Sequence, residues 1–225
     1  MIGGIPWEEF TAPILLSLRV TMTASVIVFA AALFAAWTLG RRTYRFKTIV
    51  ETVFLLPLVL PPTVVGFVLL ALLGRRSWIG RAIEAVFQAP IVFTWWAAVV
   101  ASVVVAFPLA YQTMKVGFGS VDRSLEEAAR TDGAGERQVL LRITLPLAAR
   151  SLLTAYVLGF ARSLGEFGAT LMIAGNIPGR TETVPTAIYT AVESGRWAPA
   201  WWWAGAIAAL SFVLMLVAGR TPKAQ

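Results

Sequence analysis

The chain of 225 residues is 58% hydrophobic, contains no cysteine and no histidine, and carries a formal net charge of +7. So large an apolar share excludes a water-soluble domain of this size and predicts a bundle of membrane helices in one domain, residues 1–225. The absence of cysteine excludes disulfides and thiolate metal sites, and the absence of histidine removes the commonest metal ligand and general base. We therefore expect no metal, no cofactor and no enzymatic activity.

Five apolar segments reach the roughly 20 residues that a helix needs to cross the hydrocarbon. In chain order they are residues 20–39, 49–73, 93–114, 147–173 and 201–218. The first follows Arg19, which we expect at the membrane interface. The second contains Pro57, Pro61 and Pro62, so we predict a kink or break near its middle. These segments predict an all-α, polytopic membrane protein with about five transmembrane helices.

The distribution of Lys and Arg predicts the orientation of the spans. Twelve fall on one side of the membrane, namely Arg41, Arg42, Arg45, Lys47, Lys115, Arg123, Arg130, Arg137, Arg142, Arg150, Arg220 and Lys223. Five fall on the other, namely Arg75, Arg76, Arg81, Arg180 and Arg196. Because cytoplasmic loops carry the positive excess, the N-terminus is predicted outside and the C-terminus in the cytoplasm. The basic residues form no stripe, which favours the lipid bilayer over nucleic acid as the partner.

The longest polar segment, residues 115–146, contains the helix-capping and turn residues that are typical of a short helical hairpin. Asp122 is suited to begin a helix, and Ser124 with Glu127 has the spacing of a capping box, so either start is possible. The apolar strip of this helix is predicted at Leu125, Ala128 and Ala129.

Two glycines and a proline end this hairpin. Gly133 and Gly135 are predicted to turn the chain, because glycine reaches the left-handed backbone conformation without penalty. Pro146 is predicted to mark the start of the next span. A structured polar loop on the cytoplasmic side of a membrane domain is a surface that a second protein can grip.

A pair of opposite charges lies in the fourth segment, in or near its inner half. Arg162 and Glu166 are four residues apart, so they would share a helix face and could pair. Charged residues at membrane depth usually face a bundle interior or a water-filled path, but a neutralised pair that only holds helices together fits equally well. Close helix crossings are predicted at the glycines of this segment, Gly159, Gly165 and Gly168.

The loop contains every element of the pattern E-A-A-x3-G-x9-I-x-L-P. The matching residues are Glu127, Ala128, Ala129, Gly133, Ile143, Leu145 and Pro146. The pattern resembles the EAA loop of ABC-importer permeases. Three further segments are similar to the molybdate permease subunit of such importers: residues 55–66 (LLPLVLPPTVVG), 160–170 (FARSLGEFGAT) and 175–190 (GNIPGRTETVPTAIYT). The resemblance covers nearly the whole chain.

The resemblance implies an ABC-importer permease fold in the cell inner membrane. It also implies a homodimer that works with two cytoplasmic ABC ATPase subunits and an extracytoplasmic molybdate-binding protein. By this resemblance Glu127, Ala128, Ala129 and Gly133 contact a groove of the ATPase, while Ile143, Leu145 and Pro146 fix the loop to its span. The candidates for the translocation path or its gate are Arg162, Ser163, Gly165, Glu166, Pro61 and Pro62. The chain has no Gly-x4-Gly-Lys-Ser/Thr motif of its own, so ATP hydrolysis is expected on the partner.

Other functions remain as alternatives. Sulfate permeases share the pattern of residues 162–168, and molybdate, tungstate and sulfate are all tetrahedral dianions, so a sulfate or tungstate permease is one alternative. An ATP-independent secondary transporter would need ion-linked residues at mid-membrane and often inverted repeats. Only Glu166 meets the first requirement, and no repeat is visible. A membrane scaffold is a third class, whereas a phospho-transfer enzyme is disfavoured by the lack of His and Cys.

Overall fold

The computed structural model describes residues 4–40 and 44–219, and all regular elements in these ranges are helical. The helices are α1 (Trp7–Ala35, continued by a π-helical turn, Ala36–Gly40), α2 (Lys47–Val59), α3 (Pro62–Leu73), α4 (Trp78–Phe87), α5 (Trp95–Gly119), α6 (Arg123–Thr131), α7 (Glu136–Val139, continued by a π-helical turn, Leu140–Thr144), α8 (Leu145–Leu164), α9 (Gly168–Ala174), α10 (Val184–Glu193) and α11 (Trp197–Gly219). Arg41, Arg42, Arg220 and Lys223, four of the cations that predict the orientation, lie outside the described residues. The orientation therefore stays a prediction.

Within the described ranges, four helices are long and apolar enough to cross a membrane, and one bent pair of helices could form a fifth span. The four are Trp7–Gly40, Trp95–Gly119, Glu136–Leu164 and Trp197–Leu216, and the bent pair is Lys47–Val59 with Pro62–Leu73. The prediction of an all-α, polytopic protein with about five transmembrane helices is thus confirmed.

The first helix begins earlier than the apolar segment that predicted it. It starts at Trp7 instead of residue 20, with Glu8 and Glu9 in its first turn, where acidic side chains suit the helix dipole. Arg19 lies inside this helix, and its guanidinium stacks 4.0 Å from the centre of the Trp95 ring. The helix therefore extends beyond the predicted apolar segment at its N-terminal end, and the Trp95 ring accommodates the charge of Arg19. The position of Arg19 at the membrane interface stays a prediction.

The predicted break in the second span is confirmed and falls at the double proline. Helix α2 ends at Val59, and α3 leaves it at an angle of 116°. Leu60 and Pro61 both have extended backbone conformations, as expected for residues that precede proline, and Pro62 occupies the first turn of α3. Pro57 lies within α2 and does not end it.

The fourth span differs from its prediction at both ends. Its continuous helix runs over Glu136–Leu164, not residues 147–173. Pro146 lies in the first turn of α8, as predicted for the entry to this span, although a π-helical turn continues the helix back towards Glu136. The helix stops at Gly165, and the chain resumes as the separate helix α9.

Helix α5 forms the centre of the bundle and packs against α1, α2, α3, α8 and α9. Its side chains Tyr111, Met114 and Phe118 are fully buried, while much of the remaining core is alanine and valine. Small side chains let membrane helices approach closely, and this approach supplies packing energy where lipid offers no hydrophobic drive.

Glycines permit the closest helix crossings, although not all at the predicted positions. A Cβ atom added at Gly117 of α5 would lie 2.3 Å from the Cβ of Ser151 in α8. One at Gly66 of α3 would lie 2.7 Å from the Cβ of Met172 in α9. Gly159 and Gly168 also face other helices. A Cβ atom added at Gly165 would lie within 4 Å of the Ala161 carbonyl oxygen in the preceding turn, but of no other helix among the described residues. The prediction of a crossing at Gly165 is wrong.

A polar contact ties the first half of the broken span to α5. The Glu51 carboxylate of α2 accepts hydrogen bonds from the Lys115 ammonium at 2.7 Å and from the Tyr111 hydroxyl at 3.2 Å. Phe54 packs edge-on against Tyr111 and Phe107, with ring centres 5.3 and 5.1 Å apart. These contacts fix α2 at the end of α5 that leads into the polar loop.

The crossing of α5 and α8 at Gly117 predicts a large effect of a single methyl group. Gly117→Ala should destabilise the folded protein by about 1–3 kcal/mol, because the added carbon overlaps Ser151 and one helix must shift. Thermal unfolding of the detergent-solubilised chain measures this. Gly119→Ala, at the end of the same helix with no described atom within 4 Å, is the matched control and should leave stability unchanged or slightly raised. Equal melting temperatures for the two variants would contradict the packing.

Candidate functional site

The polar loop folds as two short helices with well-defined ends. Asp122 caps α6, and its carboxylate accepts the Ser124 N–H at 2.9 Å. This hydrogen bond holds the pKa of Asp122 below its usual value, because it stabilises the charged carboxylate. Of the two starts that the sequence allows, the structure adopts the one at Asp122.

Helix α6 ends in a Schellman motif at Gly133. The Ala134 N–H donates to the Ala129 carbonyl at 2.9 Å, and the Gly133 N–H donates to the Arg130 carbonyl at 3.0 Å. Gly133 has φ +89°, a left-handed conformation that L side chains rarely adopt. Gly135 has an ordinary φ of −72°, so the predicted left-handed turn is present at Gly133 alone of the two glycines.

The faces of α6 are reversed relative to the predicted apolar strip. Leu125 is 49% exposed and Ala128 is also exposed, whereas Glu126 is only 2% exposed. Glu127 is exposed and Ala129 is half-buried. The loop therefore presents Glu127, Ala128 and the exposed Gly133 on its surface, while the neighbouring Glu126 points into the protein.

Glu126 and Thr144 hold the two ends of the loop together. The Thr144 hydroxyl donates to the Glu126 carboxylate at 2.6 Å, and both side chains are buried. Arg130 lies 3.8 Å from the same carboxylate and forms a two-pronged ion pair with Glu136, with nitrogen–oxygen distances of 2.6 and 3.1 Å. These contacts join α6, α7 and the π-helical turn into one unit.

Sequence reasoning missed both Glu126 and Thr144. Thr144 occupies the unspecified position between Ile143 and Leu145, and Glu126 precedes the motif. No local signal marks Glu126 for burial, because Asp122, four residues earlier on the same helix face, is exposed.

The last motif residues lie where the loop joins α8. Ile143 and Leu145 are half-buried, and Leu145 packs against the core cluster that contains Phe118 and Leu152. Pro146 is exposed. A polar cleft of about 340 Å³ separates α6 from the end of α1 and is lined by Trp37, Thr38, Arg123, Glu126, Glu127, Arg130 and Glu136.

The charge pair of the fourth span is present, with a geometry that differs from the predicted one. Arg162 and Glu166 are 2.9 Å apart, but Glu166 lies beyond the end of α8, so the two do not share one helix. Arg162 is in the last turn of α8, at the end far from the loop. The Glu166 carboxylate is buried and also accepts the Ala169 N–H at 2.9 Å, which joins it to α9.

The remaining path candidates surround the same helix break. Ser163 is buried, and its hydroxyl has no hydrogen-bond partner among the described atoms, whereas Gly165 is exposed. Pro62 lies at the other broken helix, and its Cβ is 3.2 Å from the position of a Cβ at Gly168. The break between α2 and α3 therefore abuts the break between α8 and α9. Pro61 is exposed at the bend itself.

The bond between Thr144 and Glu126 predicts how the loop responds to loss of one hydroxyl. Thr144→Val keeps the side-chain shape but leaves the buried carboxylate one donor short, which should cost about 1–3 kcal/mol. Hydrogen exchange of the amides in residues 123–144 should accelerate. In the control variant Glu127→Gln, changed at an exposed position of the same helix, these amides should exchange as fast as in the parent chain. Unchanged protection in Thr144→Val would mean that this bond does not hold the loop.

Comparison with known sequences agrees with the membrane architecture. The family described as binding-protein-dependent transport system inner membrane component matches residues 29–221. The putative molybdenum transport system permease protein YvgM of Bacillus subtilis (strain 168) is 52% identical over 213 residues, which is 95% of this chain and 94% of that protein. The molybdenum transport system permease protein ModB of Escherichia coli (strain K12) is 45% identical over 181 residues, or 80% of this chain and 79% of that protein.

Solved structures share the fold at low sequence identity. A bacterial ABC transporter involved in the import of the acidic polysaccharide alginate matches with a TM-score of 0.77 and 16% identity, over 95% of this chain and 79% of that chain. The MetNI methionine ABC transporter in an inward-facing conformation matches with a TM-score of 0.71 and 16% identity, over 92% of each chain. The arrangement of helices is thus that of an ABC-importer permease.

The family match, the close relatives and the membrane-length helices point to one conclusion. This chain is a multi-pass inner-membrane protein and belongs to the family of binding-protein-dependent transport system inner membrane components.

Proposed function

We propose that this chain is the permease subunit of an ATP-driven molybdate importer. Two copies form the translocation path, two cytoplasmic ATPase subunits drive it, and a separate extracytoplasmic protein delivers the oxyanion. The transport class follows from the family, and the names of the relatives support molybdate as the cargo.

The observation that carries the proposal is the exposed motif face of α6 on a braced loop. Glu127 and Ala128 face solvent, and Ala128 offers a small side chain that allows close approach of another backbone. The bonds from Thr144 to Glu126 and from Arg130 to Glu136 hold this face in place. A partner that grips α6 would therefore move the loop as a unit instead of bending it.

The loop is connected so that its displacement reaches the centre of the bundle. Its two ends continue directly into α5 and α8, which pack extensively against each other and against α1. The far end of α8 leads to the junction where Pro62 meets Gly168. When ATP draws the ATPases together, the two loops move inward and the path opens outward. Hydrolysis reverses the movement and releases the oxyanion inside.

The path itself is unsuited to tight selection of the cargo. The guanidinium of Arg162 is engaged by Glu166, so this pair offers little net charge to a dianion. Weak binding suits a path that the ion must leave again. We therefore assign the choice among molybdate, tungstate and sulfate to the delivering protein. A sulfate permease remains an alternative, because the probable sulfate transport system permease protein cysT of Prototheca wickerhamii is 28% identical over 177 residues.

Reconstitution tests the coupling role of α6. In liposomes with the ATPase and the binding protein, Ala128→Trp should lower molybdate uptake at least about tenfold, equivalent to about 1.4 kcal/mol of lost contact, because the indole blocks close approach. Arg137→Trp introduces the same side chain at an exposed site of α7 outside the motif and should retain most uptake.

Three outcomes would contradict the proposal. Full uptake by the Ala128→Trp variant would remove α6 from the coupling path. Molybdate uptake by the chain alone, without ATPase or ATP, would favour the secondary transporter. Competition by excess sulfate as effective as that by molybdate would change the cargo but leave the transport class intact.

A further inference from the structure

Helix α4 lies at the end of the bundle opposite the polar loop. It connects α3 to the start of α5, whereas the loop follows the end of α5. The Ser77 side chain caps it by accepting the Gly80 N–H at 2.8 Å. A Cβ at Gly80 would lie 2.2 Å from the Gly74 carbonyl oxygen, so this face of α4 sits directly on the end of α3. The helix is therefore a fixed part of the fold with a defined orientation.

The orientation of α4 is the reverse of that of a surface helix in water. Gly80 is buried, and Glu84, which is half-buried, pairs with Arg75 at 3.2 Å on the protein side. Trp78, Val86 and Phe87 are 75%, 74% and 74% exposed. A helix that borders water turns its apolar stripe inward and its charges outward. Trp78, Val86 and Phe87 instead face away from the protein, while Ile79 and Ile83 are half-buried.

The surroundings of α4 indicate what covers this apolar face. Other tryptophans are exposed at the same end of the bundle, where α1, α5 and α11 begin: Trp7, Trp96, Trp197 and Trp201. Tryptophans at the ends of membrane helices form belts at the headgroup level. Trp78, at the start of α4, continues this belt. The exposed Arg76 and Arg81 supply the cations that accompany interfacial helices.

We propose that α4 lies in the membrane–water interface, with Trp78, Val86 and Phe87 inserted among lipids. At 100° per residue, Trp78 and Phe87 lie about 80° and 100° from Val86 on opposite sides of it. Arg81 lies about 140° from Val86, beyond Trp78, so its guanidinium reaches the headgroups and water. The partner of this face is the lipid surface, and its continuity with the tryptophan belt favours lipid over a second copy of the chain. Through Gly80, the helix anchors the end of α3 that is distant from the double-proline break.

Site-directed spin labelling tests this placement in the intact protein. The chain contains no cysteine, so a single introduced cysteine is labelled alone. Labels at Val86→Cys and at Phe87→Cys, in chains reconstituted into lipid bilayers, should collide more often with oxygen than with a water-soluble nickel chelate. Val213→Cys, at an exposed site of the spanning helix α11, provides the lipid reference. Arg81→Cys, on the polar edge of α4, should show the opposite preference.

The outcomes separate lipid from the other possible occupants. Oxygen preference at both α4 sites, with nickel preference at Arg81→Cys, supports the proposal even if transport proves to be ATP-independent. Nickel preference at both sites would overturn it and place the face in water or against a hydrated partner. Strong spin–spin broadening that disappears on dilution with unlabelled chain would also overturn it, because the face would then be covered by a second copy.

Discussion

The proposed coupling surface of this protein depends on one buried hydrogen bond, the one that Thr144 donates to Glu126. A carboxylate that is 2% exposed is costly unless its oxygens are occupied. Thr144, the last residue before α8, donates a hydrogen bond to one of these oxygens. The bond therefore turns Glu126 inward, and the helical geometry of α6 then places Glu127 and Ala128 on the outside. The ion pair between Arg130 and Glu136 adds a second contact that holds α6 in this orientation.

The second constraint is the meeting of two broken helices within the bundle. Leu60 and Pro61 are kept out of the helical conformation by the prolines that follow them, which separates α2 from α3. On the other side of the contact, Glu166 bridges Arg162 of α8 and the first turn of α9. Under the proposed mechanism, a displacement carried along α8 would arrive at a joint between two interrupted helices. Such a joint changes shape more readily than an unbroken helix.

The sequence predicted the helical type of the elements and the number of membrane spans better than their limits. Hydropathy found each spanning segment, and the double proline located the bend, because both signals are local. Arg19 and Pro146 both lie inside continuous helical segments that begin earlier, at Trp7 and Glu136. The charge of Arg19 is accommodated by a tertiary contact with Trp95, and the missing N–H group of Pro146 by a π-helical turn. Neither feature is visible in a hydropathy profile.

The same distinction applies to the candidate site. Gly133 was predictable because a left-handed helix end requires glycine whatever surrounds it. The roles of Glu126 and Glu127 were not, since two adjacent carboxylates look alike until Thr144, distant in sequence, selects one of them. The crossings at Gly66 and Gly117 likewise depend on which helices become neighbours. Membership of the permease family was predictable from the motif, because its spacing is local to one loop.

The most direct test of the account places a cysteine at Ala128 in this otherwise cysteine-free chain. In membranes that contain the complete transporter, a short thiol crosslinker should join Ala128→Cys to the ATPase subunit, and ATP should change the yield. An impermeant thiol reagent added from outside intact cells should not react at this position. Absence of any ATPase adduct, or rapid labelling from outside, would contradict the claim that α6 receives force from a nucleotide-hydrolysing partner.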